Sequence, residues 1–314
     1  MTEFELIQIY FQQDQSADWL SVPIGDDGAV ISAESNQQII VTDTLVEDVH
    51  FFAGTAPNAI GHKALAVNLS DLAAMGATPK WFTLNLTLPE ASESWVKTFA
   101  EGLFALAKAH NIVLIGGDTT RGPLSISITA AGTVPVGTKP LTRDAAQVGG
   151  RVGLIGSLGL AAQAVSARQQ GQEPTSQQAQ ALDFPIPQVE AGLALQGLAT
   201  AACDVSDGLL ADLGHIAKAS KVVIELDGDR LARICPAQTQ ASAEATLSGG
   251  DDYALVFVMP LGQAVPNWAT DIGQVKAGMA KTGMAKQPVA VLGGPEWLQQ
   301  AAKNVQLAPG HQHF

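Results

Sequence analysis

The sequence predicts two α/β domains, and three observations carry that expectation. The chain has 314 residues, 46% of them hydrophobic, a length that suits two ordinary domains at roughly 100–200 residues each. Runs rich in β-branched and aromatic residues alternate with runs of helical apolar spacing, the pattern of strands interleaved with helices. Across 135–150 (PVGTKPLTRDAAQVGG) this periodicity lapses while Pro and Gly accumulate. A boundary belongs there, giving a first domain over 1–137 and a second over 138–314.

In the first domain, QQIIVT (37–42) and WFTLNLTL (81–88) are strands, the second with Phe82, Leu84, Leu86 and Leu88 alternating against polar neighbours. Between them Ile60, Ala64, Val67 and Asp71 recur at helical spacing, and Gly76 supplies a C-terminal stop. Trp95, Phe99, Leu103 and Leu106 mark a second helix, ending near His110. IVLI (112–115) is then a buried strand running into GGDTTRG, and LSISITAAGTV is the next strand.

The second domain opens with the strand RVGLIG and a helix from about Leu158. The Gln-rich stretch 169–180 has the composition of an exposed loop. A helix near 188–200 follows, CDVSDGL opens another at about Leu209, and VVIEL (222–226) and YALVFVM (253–259) are strands. Ser70-Asp71 ahead of Gly116-Gly117-Asp118 is echoed by Ser206-Asp207 ahead of Gly249-Gly250-Asp251. The echo suggests two copies of one plan, although short motifs also recur by chance.

Charge narrows the function classes. Lys and Arg number 17 against 30 Asp and Glu, a net charge of −13, with no basic run. Neither a nucleic acid, which needs many cations to neutralise its phosphates, nor an acidic membrane surface is expected as a partner. The start MTEFELIQIYFQQDQ lacks the basic leader of a secretory signal, and no stretch approaches the apolar length of a membrane span. Cys203 and Cys235 form no Cys-x-x-Cys pair and suit a reducing cytoplasm, the expected location.

The informative carboxylates lie beside glycines or inside apolar runs: Asp26, Asp27, Asp43, Asp71, Asp118, Asp204, Asp207, Asp251 and Asp252. Asp71 sits among Val67, Leu69, Leu72 and Met75, and a lone buried carboxylate is costly unless compensated. Either Asn68, one turn earlier, donates a hydrogen bond to it, or a metal ion binds it. Asp43 ends an apolar strand, where open sheets present functional groups or simply cap. GGDTTRG is a close-approach loop for a ligand or a polar hairpin. In CDVSDGL, Ser206 or Asp207 can cap the next helix, which leaves Asp204 unexplained. Oxygen-rich clusters of this kind suit Mg²⁺, which completes its shell with water and phosphate oxygens. His62, His110 and His215 lie in helical runs and read as packing or surface residues, whereas His50 follows Asp43 and Asp48 closely. The phosphate-loop, dinucleotide, nucleophile-elbow and zinc-protease motifs are absent.

Taken in order, IGDDGAV, TDTLVEDVHF, KALAVNLSDLAAMGATP, IGGDTTRG, LTR, DVSDGL, SGGDDY and the terminal HF resemble the thiamine-monophosphate kinases of the aminoimidazole ribonucleotide synthetase superfamily, across nearly the whole chain. The resemblance implies two mixed-sheet domains of that superfamily's type, the first binding metal and ATP and forming a homodimer, the second closing over ATP and substrate. It implies transfer of the ATP γ-phosphoryl to thiamine monophosphate with several Mg²⁺ ions. By matching motifs, Asp27, Thr42, Asp43, Asp71, Asp118, Asp204 and Asp207 are implied metal ligands; Gly117, Asp118, Arg143 and Ser206 hold ATP; His50, Asp251 and His311 meet the thiamine phosphate. Asp71, Asp118, Arg143 and Asp207 are the expected catalytic set. The chain departs from the family where Gly-Gly-Glu-Asp-Tyr-Glu becomes Gly-Gly-Asp-Asp-Tyr-Ala, shortening the acid at Asp251 and losing one at Ala254, and where His311 replaces an aromatic residue. The alternatives are another ATP-using synthetase of the superfamily, although the N-terminal Cys or selenocysteine of a selenophosphate synthetase is missing, and a non-catalytic Mg²⁺ or nucleotide scaffold.

Overall fold

The computed structural model describes residue 5 and residues 7–12, 17–22, 30–31, 36–278 and 288–307, so Asp27 and His311 lie outside the described residues. The chain divides into two compact units, 1–72 with 77–138 and 73–76 with 139–314. In the first unit β1 (Leu20–Val22) pairs antiparallel with β2 (Val30–Ile31). Then come β3 (Gln37–Val46), α1 (Pro57–Ala74), β4 (Thr78–Leu88), α2 (Glu93–Ala109), β5 (Val113–Arg121) and β6 (Ser125–Val134). The sheet order is β3-β6-β4-β5, antiparallel except for β4 with β5, whose parallel pairing requires the crossover that α2 provides.

Strand alternation gives this sheet two unlike faces. Phe82, Leu84 and Leu86 of β4 and Ile126 and Ile128 of β6 are buried, and a Cβ on Gly132 of β6 would fall 2.8 Å from the Thr78 carbonyl oxygen and 3.2 Å from Leu72 Cδ2 of α1. The helices themselves meet backbone to backbone. A Cβ on Gly61 would fall 2.2 Å from the Phe99 carbonyl oxygen, and one on Gly102 1.9 Å from that of Asn58, so glycine is needed at both crossings. On the other face the register lines up Thr42, Thr129 and Thr83 in one row and Thr44, Ser127, Asn85 and Asp118 in the next. Hydroxyl contacts of 3.2 Å (Thr42 to Thr129) and 2.7 Å (Thr44 to Ser127), one within each row, tie β3 to β6.

The second unit contains β7 (Arg151–Ile155), α3 (Leu160–Gln169), α4 (Ser176–Asp183), α5 (Val189–Leu195), β8 (Ala201–Val205), α6 (Leu209–Ser220), β9 (Val223–Asp227), α7 (Gly228–Ile234), α8 (Gln240–Ser248), β10 (Ala254–Val258), β11 (Thr270–Lys276), β12 (Val289–Leu292) and α9 (Glu296–Leu307). Its six-stranded sheet runs β12-β9-β11-β7-β10-β8, antiparallel except for β12 with β9. The core lies between this sheet and its helices, with Val205, Leu213, Ile216, Ile224, Val256 and Leu298 buried. No helix among the described residues is long and apolar enough to cross a membrane.

Three local expectations are corrected. The Gln-rich stretch is not all loop, because residues 176–183 form α4. Its start is a capping box in which the Gln178 amide donates to Thr175 Oγ1 and the Thr175 amide donates to Gln178 Oε1. Glutamine is a good helix former, so polarity alone hid a helix. GGDTTR is neither loop nor hairpin but the second half of β5, since parallel pairing with β4 continues from Thr83 with Gly116 to Leu88 with Arg121. The Ser-Asp and Gly-Gly-Asp echo does not fall on matching positions: Asp71 lies inside α1 and Asp207 precedes α6, while Gly116–Asp118 is strand and Gly249–Asp251 is loop.

Candidate functional site

In the first unit the sheet and α1 bring two carboxylates together. Asp43, near the end of β3, is on the strand's helix-facing side with Leu45, and its side chain is hydrogen-bonded to Asp71 of α1. Burial raises the Asp43 carboxyl above the ordinary value, and the bond to Asp71 offsets only part of that. Two carboxyl groups can hydrogen-bond only through a proton, and a hard divalent cation bound by oxygen replaces that proton directly. The pair therefore fits a metal ion. Asn68 does not serve Asp71, since its Nδ2 donates to the Ala64 carbonyl at 3.1 Å while its Oδ1 is buried without a partner.

The register separates the remaining sites of this unit. Thr42 and Asp118 lie on the polar face, opposite Asp43, and they occupy the first and fourth strands of the sheet, about 14 Å apart at ~4.8 Å per strand. Gly117 has φ 151° and a Cβ there would sit 1.8 Å from the Leu84 carbonyl oxygen. Gly117→Ala is thus expected to destabilise the protein by about 1–3 kcal/mol or to break the β4–β5 register, read as a lower midpoint in thermal unfolding. His50 closes a turn after β3 in which its Nδ1 accepts the Val46 amide at 3.0 Å. That bond fixes the neutral ring with the proton on Nε2. Lys63, 3% exposed, donates to the His50 carbonyl at 3.1 Å and anchors the turn on α1.

The second unit assembles a denser cluster at the end of β8. Asp204 is 3% exposed. The LTR segment runs beside the same strand: Thr142 bridges Ala201, its carbonyl accepts the Ala202 amide at 3.3 Å, and Ser220 Oγ donates to the Arg143 carbonyl at 2.8 Å. Partial burial acts to lower the Arg143 pKa, but its neighbours Cys203, Asp204 and Asp212 outweigh burial and raise it. Burial pushes the Cys203 thiol well above its ordinary value, which removes it as a nucleophile.

The loop of SGGDDY locks onto the turn of DVSDGL. The Asp251 amide donates to the Ser206 carbonyl at 2.9 Å and the Tyr253 amide to that of Val205 at 2.8 Å. A Cβ on Gly250 would lie 2.5 Å from the Ser206 oxygen. Asp251 and Tyr253 hold positive φ of 65° and 49°, and the Tyr253 hydroxyl donates to Asp251 Oδ1 at 2.9 Å. Arg143, Asp204, Ser206, Asp207 and Asp251 are thereby neighbours within one unit. Asp252 points elsewhere: both its oxygens take the Gly159 amide, at 3.0 and 2.8 Å, and it also accepts from Ala161, capping α3 from outside.

Burial pushes Asp252 up to about 8 against those amide bonds. Between the ordinary carboxylate value and about 8 the folded chain holds a proton that the unfolded chain has released, so stability falls as pH rises through that window. Asp252→Asn, which keeps an acceptor oxygen and cannot ionise, should flatten the loss of thermal stability between pH 5 and 8. An unchanged slope would remove Asp252 as its source.

Sequence reasoning missed Asp212. It accepts the amides of Ser206, Asp207 and Gly208, and one ligand atom each from Asp207, Asp212 and His215 lie within 4.8 Å of one another. Burial first, then Asp204 and Asp207, push the Asp212 carboxyl up to about 7. The signal was present: Leu209, Asp212, Leu213 and Ile216 share the i, i+3, i+4, i+7 stripe of α6, which puts an acid on a core face.

Residues 25–134 match the family model described as AIR synthase related protein, N-terminal domain, and residues 147–278 match its C-terminal domain. The thiamine-monophosphate kinase of Haemophilus influenzae is 43% identical over 270 residues, 83% of this chain and 82% of that protein. The crystal structure of thiamine-monophosphate kinase from Stenotrophomonas maltophilia K279a has a TM-score of 0.82 at 42% identity, covering 94% of this chain and 98% of the other. AaThiL complexed with AMPPCP and TMP has a TM-score of 0.74 at 30% identity, covering 93% and 92%. With both halves matched in order and four fifths of its length aligned at this identity, the chain belongs to the thiamine-monophosphate kinase family of AIR synthase related proteins.

Proposed function

We propose that this chain transfers the γ-phosphoryl group of ATP to thiamine monophosphate, giving thiamine diphosphate and ADP, the last step of thiamine diphosphate synthesis. The observation that carries the chemistry is the gathering of carboxylates in each unit, Asp43 with Asp71 and Asp204 with Asp207 and Asp212 beside Arg143. Both substrates are anionic, and such acids repel them unless divalent cations reverse the local field. Bound Mg²⁺ supplies that reversal and stabilises charge on the transferred group.

The chain's own residues do the rest. Asp43, Asp71, Asp118, Asp204 and Asp207, with Thr42 and Asp27, hold the ions. Ser206, Gly117, Asp118 and Arg143 hold ATP, with the Arg143 guanidinium kept charged by its acidic neighbours. His50 and Asp251 contact thiamine monophosphate, and the His311 imidazole stacks on its thiamine moiety. A phosphate oxygen of the acceptor is already a competent nucleophile, so transfer is direct, with Asp71, Asp118, Arg143 and Asp207 as the catalytic set and no phosphoenzyme. The first domain, 1–137, binds metal and ATP and forms a homodimer through its sheet; the second, 138–314, closes over ATP and substrate. The enzyme works in the cytoplasm, with no nucleic-acid or membrane partner.

A coupled ADP-release assay offering thiamine monophosphate, free thiamine and selenide separately, with and without Mg²⁺, tests this. The expected result is ADP release with thiamine monophosphate and Mg²⁺ only. Release with selenide identifies a different synthetase, and none with any acceptor leaves a binding scaffold.

A further inference from the structure

Shortly before helix α6 stand two residues whose types suit helix capping, Ser206 and Asp207, yet neither caps it. The flanking residue is Gly208 at φ 115°, and no side chain bonds the helix start from that position. From inside the helix, a side chain gathers the amides of the turn ahead of it. Asp212 Oδ2 accepts the N–H of Ser206 at 3.1 Å, of Asp207 at 3.0 Å and of Gly208 at 3.1 Å. Three consecutive amides on one carboxyl oxygen fix the path of the turn. Asp212 is 2% exposed, set beside the buried Leu209 and Leu213, so the oxygen that gathers them has little freedom. The Ser206 carbonyl is thereby placed to receive the Asp251 amide at 2.9 Å.

We infer that Asp212 is the positioning residue of this site: by holding the amides of Ser206, Asp207 and Gly208 it sets Asp204, Ser206 and Asp207 in the arrangement that binds magnesium and nucleotide phosphate. The inference rests on the kinase reading of the site. It requires that loss of the carboxylate disturb magnesium and nucleotide binding beyond any general loss of stability.

In the ligand-free wild type, the amides of Ser206, Asp207 and Gly208 should exchange on the order of a hundredfold more slowly than that of Gly262 in an exposed turn. Asp212→Asn, near in shape but uncharged, should erode that protection. It should also raise the Mg²⁺ concentration for half-maximal binding of a non-hydrolysable ATP analogue, measured by calorimetry, by tenfold or more. Leu213→Ala, which removes core volume one residue away, should lower the melting temperature and leave the Mg²⁺ dependence within twofold. Unprotected amides in the wild type, or equal Mg²⁺ shifts in the two variants, overturn the inference. Should Asp212→Asn fail to fold, Asp212→Ser takes its place, and the wild-type exchange remains decisive. Wild-type turnover of thiamine monophosphate tests the kinase reading separately, so either can fail alone.

Discussion

Asp71→Asn is expected to lower the rate of phosphoryl transfer at saturating Mg²⁺ by about 10³-fold, equivalent to ~4 kcal/mol of barrier, while raising the stability of the ligand-free protein. The two signs come from one contact. Without metal, Asp71 faces the buried carboxyl of Asp43 and shares a hydrogen bond with it, and two acids so placed cannot both ionise without repulsion. An amide at position 71 satisfies Asp43 with no proton to share, so the melting temperature should rise. With substrates present the same change removes a charged metal ligand and the charge stabilisation it supports. Stability gained where function is lost is the usual trade at a strained site. A variant within about threefold of wild type, less than ~1 kcal/mol, refutes the role given to Asp71, and a lower melting temperature refutes the account of the pair.

Most elements that position the site were legible because their periodicities are strong. Phe82, Leu84 and Leu86 alternate and become the buried face of β4, and Trp95, Phe99 and Leu103 recur at helical spacing and become α2. What sequence hides is partnership between distant residues. Asp43 and Asp71 are each visible as an acid among apolar neighbours, but their hydrogen bond depends on which face of β3 looks at α1, and a shift of one residue in register would turn Asp43 to the polar side. Thr42 and Asp118 show the converse: motif matching grouped them with Asp43, and the strand order sets them on the other face and three strands apart. Asp207 has the residue type of a helix cap, but the capping position falls on Gly208, and Asp212 accepts the amides of the turn ahead of the helix. Elements α7, α8, β11, β12 and α9 drew no expectation; α8, for one, has its buried residues Ser242, Ala243, Thr246 and Leu247 mostly small or polar, which leaves little apolar contrast to read.

Removal of divalent metal should abolish turnover and also change how stability depends on pH. In the ligand-free chain the carboxyls of Asp43, Asp212 and Asp252 are all raised above the ordinary value, Asp212 to about 7 and Asp252 to about 8. A raised carboxyl means that the folded chain binds more protons than the unfolded chain, so stability declines as pH climbs from the ordinary carboxylate value through the folded one. The melting temperature of chelator-treated protein should therefore fall steadily between about pH 5 and 8. Mg²⁺ favours the ionised form of any carboxylate that it meets, so at Asp43 and Asp71 it substitutes for the shared proton and reverses that contribution. At a hundredfold excess over its dissociation constant the ion should add about 2.7 kcal/mol, and the gain should be greater at pH 8 than at pH 5, where protons compete for the same oxygens. The slope due to Asp252 should survive, because that residue caps α3 and faces the Gly159 and Ala161 amides. Thermal unfolding with EDTA and with Mg²⁺ across this range separates the two classes of acid. A stabilisation independent of pH would mean that the ion binds away from the raised carboxyls, and full turnover in EDTA would remove metal from the mechanism altogether.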